Sequence, residues 1–135
     1  MIKRPLHPQF TEAVLAGRKF TTIRDKVWPI GVPIMLYNWS GVAYRSPQIK
    51  VAPIQVSGYW PIEIHHHGDG TMRYIHGMEH PKPLHETEGF ASAAAMDAWF
   101  RPLVKPGHFI SKKLMRFRLV KDKPTIASSS PGKIL

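Results

Sequence analysis

Phe10, Ala13, Val14 and Gly17 recur at helical spacing, so Phe10 to Ala16 reads as a short helix. Gly17 stands where a left-handed residue closes such a helix. Residues 19–24, KFTTIR, then read as extended, because three of the six are β-branched. Trp28-Pro29-Ile30-Gly31 signals a turn, and Val32 to Asn38 a strand. Ile49 to Ile64 is long and strand-like. Pro53 and Pro61 interrupt it, and each marks an edge or a bulge because proline gives no N–H to a ladder. His66 to Gly70 is a turn, from which Thr71 to His76 pairs back as a hairpin. Residues 77–87 read as loop. Ser92 caps AAAMDAWF, the clearest helix in the chain. Lys113 to Val120 alternates as a half-buried last strand, and residues 121–135 read as a mobile basic tail. Too few helices separate the strands for βαβ units, so the pattern predicts an α+β, mostly β domain over 1–120: a small mixed barrel or strongly bent sheet carrying two short helices.

The 135 residues suffice for one domain with its own core. There is no cysteine, which removes disulfides, thiolate metal sites and a cysteine nucleophile. No apolar run is long enough to span a bilayer, and the N-terminus lacks an apolar signal segment, so a cytoplasmic protein without a membrane partner is expected. The net charge of +10 favours polyanions. It is unevenly spread: +6 over residues 1–58, −4 over 59–100 and +8 over 101–135. The basic ends either converge into a patch or form an ordinary solvated surface.

Four clusters carry candidate chemistry. Lys19, Thr21, Thr22 and Arg24 lie within six positions at a helix-to-strand junction. In a strand, Thr22 and Arg24 share a face, and Lys19 reaches Thr22 only if the chain turns just after Gly17. On spacing alone the cluster is a surface strand. In Asn38 to Ser46, Tyr44 and Arg45 pair an aromatic ring with a guanidinium, suited to a base and a phosphate or ribose; a hairpin loop with a packed tryptophan fits equally. His65, His66 and His67 are consecutive, but no HExxH and no cysteine accompany them, so an incidental polar hairpin is favoured and neither a metal nor another cofactor is expected. Arg116 and Arg118, with Lys112, Lys113, Lys121 and Lys123 nearby, form either a phosphate-tracking stripe or a solvated edge.

The segment AGRKFTTIR is similar to the first signature of ASCH-domain proteins, and Glu88-Gly-Phe-Ala-Ser92 followed by Met96-Asp-Ala-Trp-Phe100 resembles the second, where an acid precedes a capped helix. KLMRFRLV resembles the family's closing strand, so the likeness covers roughly residues 6–120. It implies a PUA-like barrel and an RNA-linked function. Small bacterial members include amidohydrolases that remove the acyl group from N4-acetylcytidine. Their site, carried over by motif, is Lys19, Thr22 and Glu88, with Arg24 two residues after the threonine. The segment from about Trp39 to His85 is longer than compact members carry.

Amide hydrolysis needs a nucleophile, a stabilised oxyanion and a proton for the leaving amine. Thr22 is the expected nucleophile or the holder of an attacking water. Lys19 activates it as a neutral base, or steadies the oxyanion as a cation, and Glu88 carries the proton to the cytosine N4. On spacing alone Glu88 is a surface acid of the capping-box kind. The leading expectation is thus a monomeric, metal-independent amidohydrolase of N4-acylated cytosine nucleosides or bases, with Arg24, Tyr44 and Arg45 touching substrate. RNA binding or single-stranded RNA cleavage by the same fold is the alternative. A non-catalytic domain docking nucleic acid through its basic ends is a third.

Overall fold

A computed structural model describes residues 1–120. The expected tail, residues 121–135, lies outside the described residues. The domain is a six-stranded mixed sheet with short helices on it. In chain order the elements are β1 (Ile2–Pro5), α1 (Thr11–Leu15), β2 (Thr21–Arg24), β3 (Pro33–Trp39), β4 (Gln48–His66), β5 (Met72–His76), α2 (Leu84–Thr87), α3 (Ala93–Phe100) and β6 (His108–Leu119). Single 3-10 turns precede α1 at Pro8–Phe10 and follow α3 at Arg101–Leu103.

The strands run β1-β3-β4-β6-β2, with β5 paired to β4. Only the β1–β3 pair is parallel among the named strands. The path ends on two edges, β1 and β2, which do not join in a ladder, so the expected barrel is not closed. A side chain spans the gap instead. Arg24, the last residue of β2, donates from Nη2 to the carbonyl of Pro5, the last residue of β1, at 2.8 Å. Backbone pairing fails because both edges are four residues long, and Pro5 has no N–H to offer.

β4 is one strand of 19 residues, and its prolines explain its changes of partner. The β3 ladder covers Gln48–Gln55, the β6 ladder starts at Ile54, and the β5 ladder starts at Ile62. Pro53 and Pro61 each stand one residue before a new partner begins, so on one side each is at an edge. A register shift between Val56 and Gly58 bends the strand there. Alternate residues of β4, Ala52, Ile54 and Val56, then Ile62 and Ile64, face the core with Ile34, Leu36, Leu114 and Met115. Val14 of α1 and Met96 and Phe100 of α3 cap that core. Ser92 caps α3 as its sequence suggests, accepting from the Ala95 N–H at 3.0 Å.

Replacing Arg24 by Met removes the clasp while keeping an apolar stem over Trp28, whose ring lies 4.7 Å from the guanidinium. The variant is expected to lose about 1–3 kcal/mol in urea unfolding, and β1 amides should exchange faster than those of β4.

Candidate active site

α1 ends on Gly17, whose φ of +77° favours glycine. The reversal lets the N–H groups of Arg18 and Lys19 both return to the Ala13 carbonyl, at 2.8 and 3.0 Å. Lys19 is thereby turned inward and Phe20 outward. The Phe20 N–H reaches the Thr87 carbonyl at 3.0 Å, stitching this turn to the end of α2. The chain thus turns just after Gly17, as contact between Lys19 and the strand requires.

Lys19 is 4 % exposed and Glu88 3 %. The surface-strand and surface-acid readings of these residues therefore fail. Glu88 closes α2 through its own N–H to Leu84, and Ser92 alone caps α3, so the carboxylate is free to point inward. The Lys19 Nζ donates to the Thr21 carbonyl at 2.7 Å and the Glu88 carbonyl at 2.9 Å. The Glu88 carboxylate lies 3.7 Å away. The Phe10 ring is 4.7 Å from the same nitrogen. Burial pushes the Lys19 pKa below the ordinary lysine value; Glu88 opposes this, while Arg24 adds to it. A neutral amine has two N–H bonds and one lone pair. The two carbonyls take both N–H bonds, which leaves the lone pair for chemistry.

Gly89, at φ +87°, makes the approach possible. A Cβ there would stand 2.9 Å from the Lys19 Cβ. Thr21 is fully buried and donates to the Glu88 Oε2 in a short hydrogen bond; its hydroxyl is also 3.0 Å from that of Thr87. Thr21 and Thr87 thus fix the carboxylate. Neither was singled out for this role from sequence. Strand alternation separates Thr21 from Thr22, and that is the signal that could have found it.

Thr22 faces the other way with Arg24, as alternation predicts. The Arg24 Nε donates to the Thr22 Oγ1 at 2.9 Å, which leaves the threonine hydroxyl hydrogen free. No direct hydrogen bond joins Lys19 to Thr22 among the described residues. The two meet instead in the wall of one cavity of about 690 Å³, shared with Arg24 and Glu88. Phe10, Phe90 and Trp99 form its aromatic side, with T-shaped contacts at 5.1–6.0 Å between ring centroids. Trp39 and Tyr44 stand at the other side, 5.2 Å apart. Tyr44 is 87 % exposed and is the one non-glycine residue with positive φ, 65°, among those described.

Arg45 is not brought to this cavity. It is exposed in the 42–45 turn that its N–H closes onto Val42, and the left-handed Tyr44 beside it changes the chain's direction. The histidine run is split by strand alternation. His65 bonds Glu63 and stacks on Phe109, while His66 is buried against the Val104 carbonyl at 2.7 Å. No group of three or more His, Asp or Glu side chains converges among the described residues. No helix among them is long and apolar enough to cross a membrane.

Comparisons with protein-family models, curated proteins and solved structures gave no match for this chain. The geometry of the cavity must therefore carry the functional argument.

Two glycine variants separate backbone strain from site damage. Gly17→Ala meets no atom within 4 Å and carries only the strain of its φ, about 1 kcal/mol. Gly89→Ala adds the clash with Lys19. It should be the less stable of the two in urea unfolding and should displace the lysine, read as a changed pH dependence of stability. In the wild type the unfolded chain holds the Lys19 proton more tightly than the folded one. Stability therefore rises with pH between the lowered folded value and 10.5, and in Gly89→Ala this rise should shrink.

Proposed function

We propose that the protein is a metal-independent amidohydrolase that cleaves the N4-acyl amide of N4-acetylcytidine or a related acylated cytosine. In this reading it is an ASCH-type domain with a PUA-like fold, drawn open into a bent sheet. The observation that carries it is the buried Lys19–Glu88 pair in the wall of a cavity that also holds Thr22 and Arg24. The resemblance of AGRKFTTIR and of the Glu88 segment to the two ASCH signatures names the same residues. The mostly β sheet, with its two edges clasped by Arg24, agrees with the fold reading.

The cavity volume suits a nucleoside, since pockets for small ligands commonly enclose about 300–1,000 Å³. The aromatic sides suit a planar base. Thr22 attacks the acyl carbon as its hydroxyl proton passes to the Lys19 amine. The charged Arg24 N–H at Oγ1 favours the developing alkoxide. The C–N4 bond then breaks as N4 takes a proton from the Lys19–Glu88 pair, and cytidine leaves. Water hydrolyses the threonine ester to the carboxylate and restores the hydroxyl. Substrate must close the gap between Lys19 and Thr22, because the two are not in direct hydrogen bond.

The test is absorbance-monitored hydrolysis of N4-acetylcytidine with EDTA present. Wild type should turn over. Lys19→Ala, Glu88→Gln and Thr22→Ala should each lose about 10²–10⁴-fold, and Thr22→Ser should retain activity. Intact-mass analysis of a rapid quench should show an acylated chain in wild type that is missing in Thr22→Ala. An active Thr22→Ala enzyme would pass the attack to a water. Inactive, folded wild type would overturn the assignment.

The pH dependence tests the role of the lysine. If the neutral amine is the base, kcat/KM rises as Lys19 loses its proton and levels off below 10.5, the ordinary lysine value. Lys19→Arg, which keeps a cation at every accessible pH, should then be as inactive as Lys19→Ala. An active arginine variant would instead make Lys19 the oxyanion's partner.

A further inference from the structure

A second concavity lies outside the Lys19–Glu88 cavity, where Phe20 turns outward onto the β4–β6 face. It encloses about 740 Å³ and is more open than a nucleoside pocket needs. Phe20, Trp60 and His80 line it as rings, and Arg116 and Arg118 as cations. No acidic side chain lines it among the described residues. The groups are already ordered: the Arg116 guanidinium lies 5.6 Å over the Phe20 ring, Phe20 is 5.1 Å from His80, and Arg118 is held by Gln55.

The backbone keeps the space clear. Gly58 pairs with Arg116 across the sheet, so no side chain stands opposite the guanidinium. The register shift between Val56 and Gly58 sits at this same point of β4, and such irregularities re-aim side chains. A Cβ at Gly77 would meet the Trp60 ring at 3.8 Å, so a small residue backs that ring.

Rings beside evenly placed cations, in an acid-free groove, suit a ligand that is both planar and anionic along its length. Arg116 and Arg118 are two residues apart on one strand, about 7 Å, so they present two cations in a row rather than one clamp. The chain's net charge of +10 adds attraction for a polyanion. A single-stranded polynucleotide has this chemistry, with bases for the rings and phosphates for the arginines. We propose that this groove is a single-stranded nucleic-acid site, separate from the hydrolytic cavity. It stands whether or not that cavity hydrolyses an amide.

The experiment is fluorescence anisotropy of a labelled oligouridine RNA titrated with the full chain, over a series of salt concentrations. Wild type should bind at low salt and weaken as salt rises. Arg116→Gln with Arg118→Gln should weaken binding about tenfold or more and flatten the salt slope by roughly one unit. A control pair of exposed lysines elsewhere, Lys26→Gln with Lys50→Gln, should lose less. Trp60→Leu should weaken binding about tenfold, and Trp60→Phe, which keeps a ring, should restore it; the rescue guards against a misfolded Trp60→Leu. Unlabelled oligouridine should compete better than polyglutamate of equal charge. Absence of binding by wild type, an equal loss in the lysine control, or equal competition by polyglutamate would each overturn the proposal. Hydrolysis of free N4-acetylcytidine, where measured, should be unchanged in the arginine pair.

Discussion

Everything around the candidate site depends on placing one lysine where water does not reach. A buried ammonium is costly unless its hydrogen bonds are made and its charge is met. Here two backbone carbonyls, from Thr21 and Glu88, take the Nζ donors, and a carboxylate stands close by. The two carbonyls belong to segments 67 residues apart in sequence, so meeting the lysine's needs also ties the α1–β2 turn to the α2–α3 junction. Gly17 and Gly89 serve the same end: one turns the lysine inward, and the other leaves room for its stem. Thr21 and Thr87 hold the carboxylate from behind. The site is therefore a piece of the core that happens to open into a cavity.

The open sheet follows from related economies. β1 and β2 are too short to close a ladder, yet Arg24 reaches from one to the other and also supports Thr22. One guanidinium thus has a structural hand on the sheet and a chemical hand on the cavity. Burial pushes its pKa down, partly opposed by Glu88 and reinforced by Arg4, so the carboxylate helps hold two cations at once. This couples the site's electrostatics to the sheet's shape.

Much of this was legible in the sequence because it rests on local rules. Helix period, the Ser92 cap and strand alternation lead to α1, α3, β6 and the shared face of Thr22 and Arg24. The prolines of β4 mark partner changes for the stated reason, a missing donor. What was not legible is long-range. Spacing makes Glu88 a surface acid, because nothing local says that α2 will end on it and Ser92 will do the capping alone. Arg45 reads as a companion of Tyr44, but the left-handed tyrosine parts them. Thr21 reads as the lesser of two adjacent threonines, though it holds the carboxylate. Barrel closure fails by the length of two strands and one imino acid, a margin that pattern alone does not resolve.

The position of β2 in the sheet has a consequence for how the chain comes to life. β2 pairs only with β6, the last described strand, with Thr21 opposite Arg116. A ribosome releases β2 early and β6 last. Until then Lys19 and Thr22 sit on a segment with no strand to hold it. Such distant pairings form slowly, because loop closure must precede their reward. The fold thus keeps its reactive groups unassembled through synthesis and brings them together in its final step.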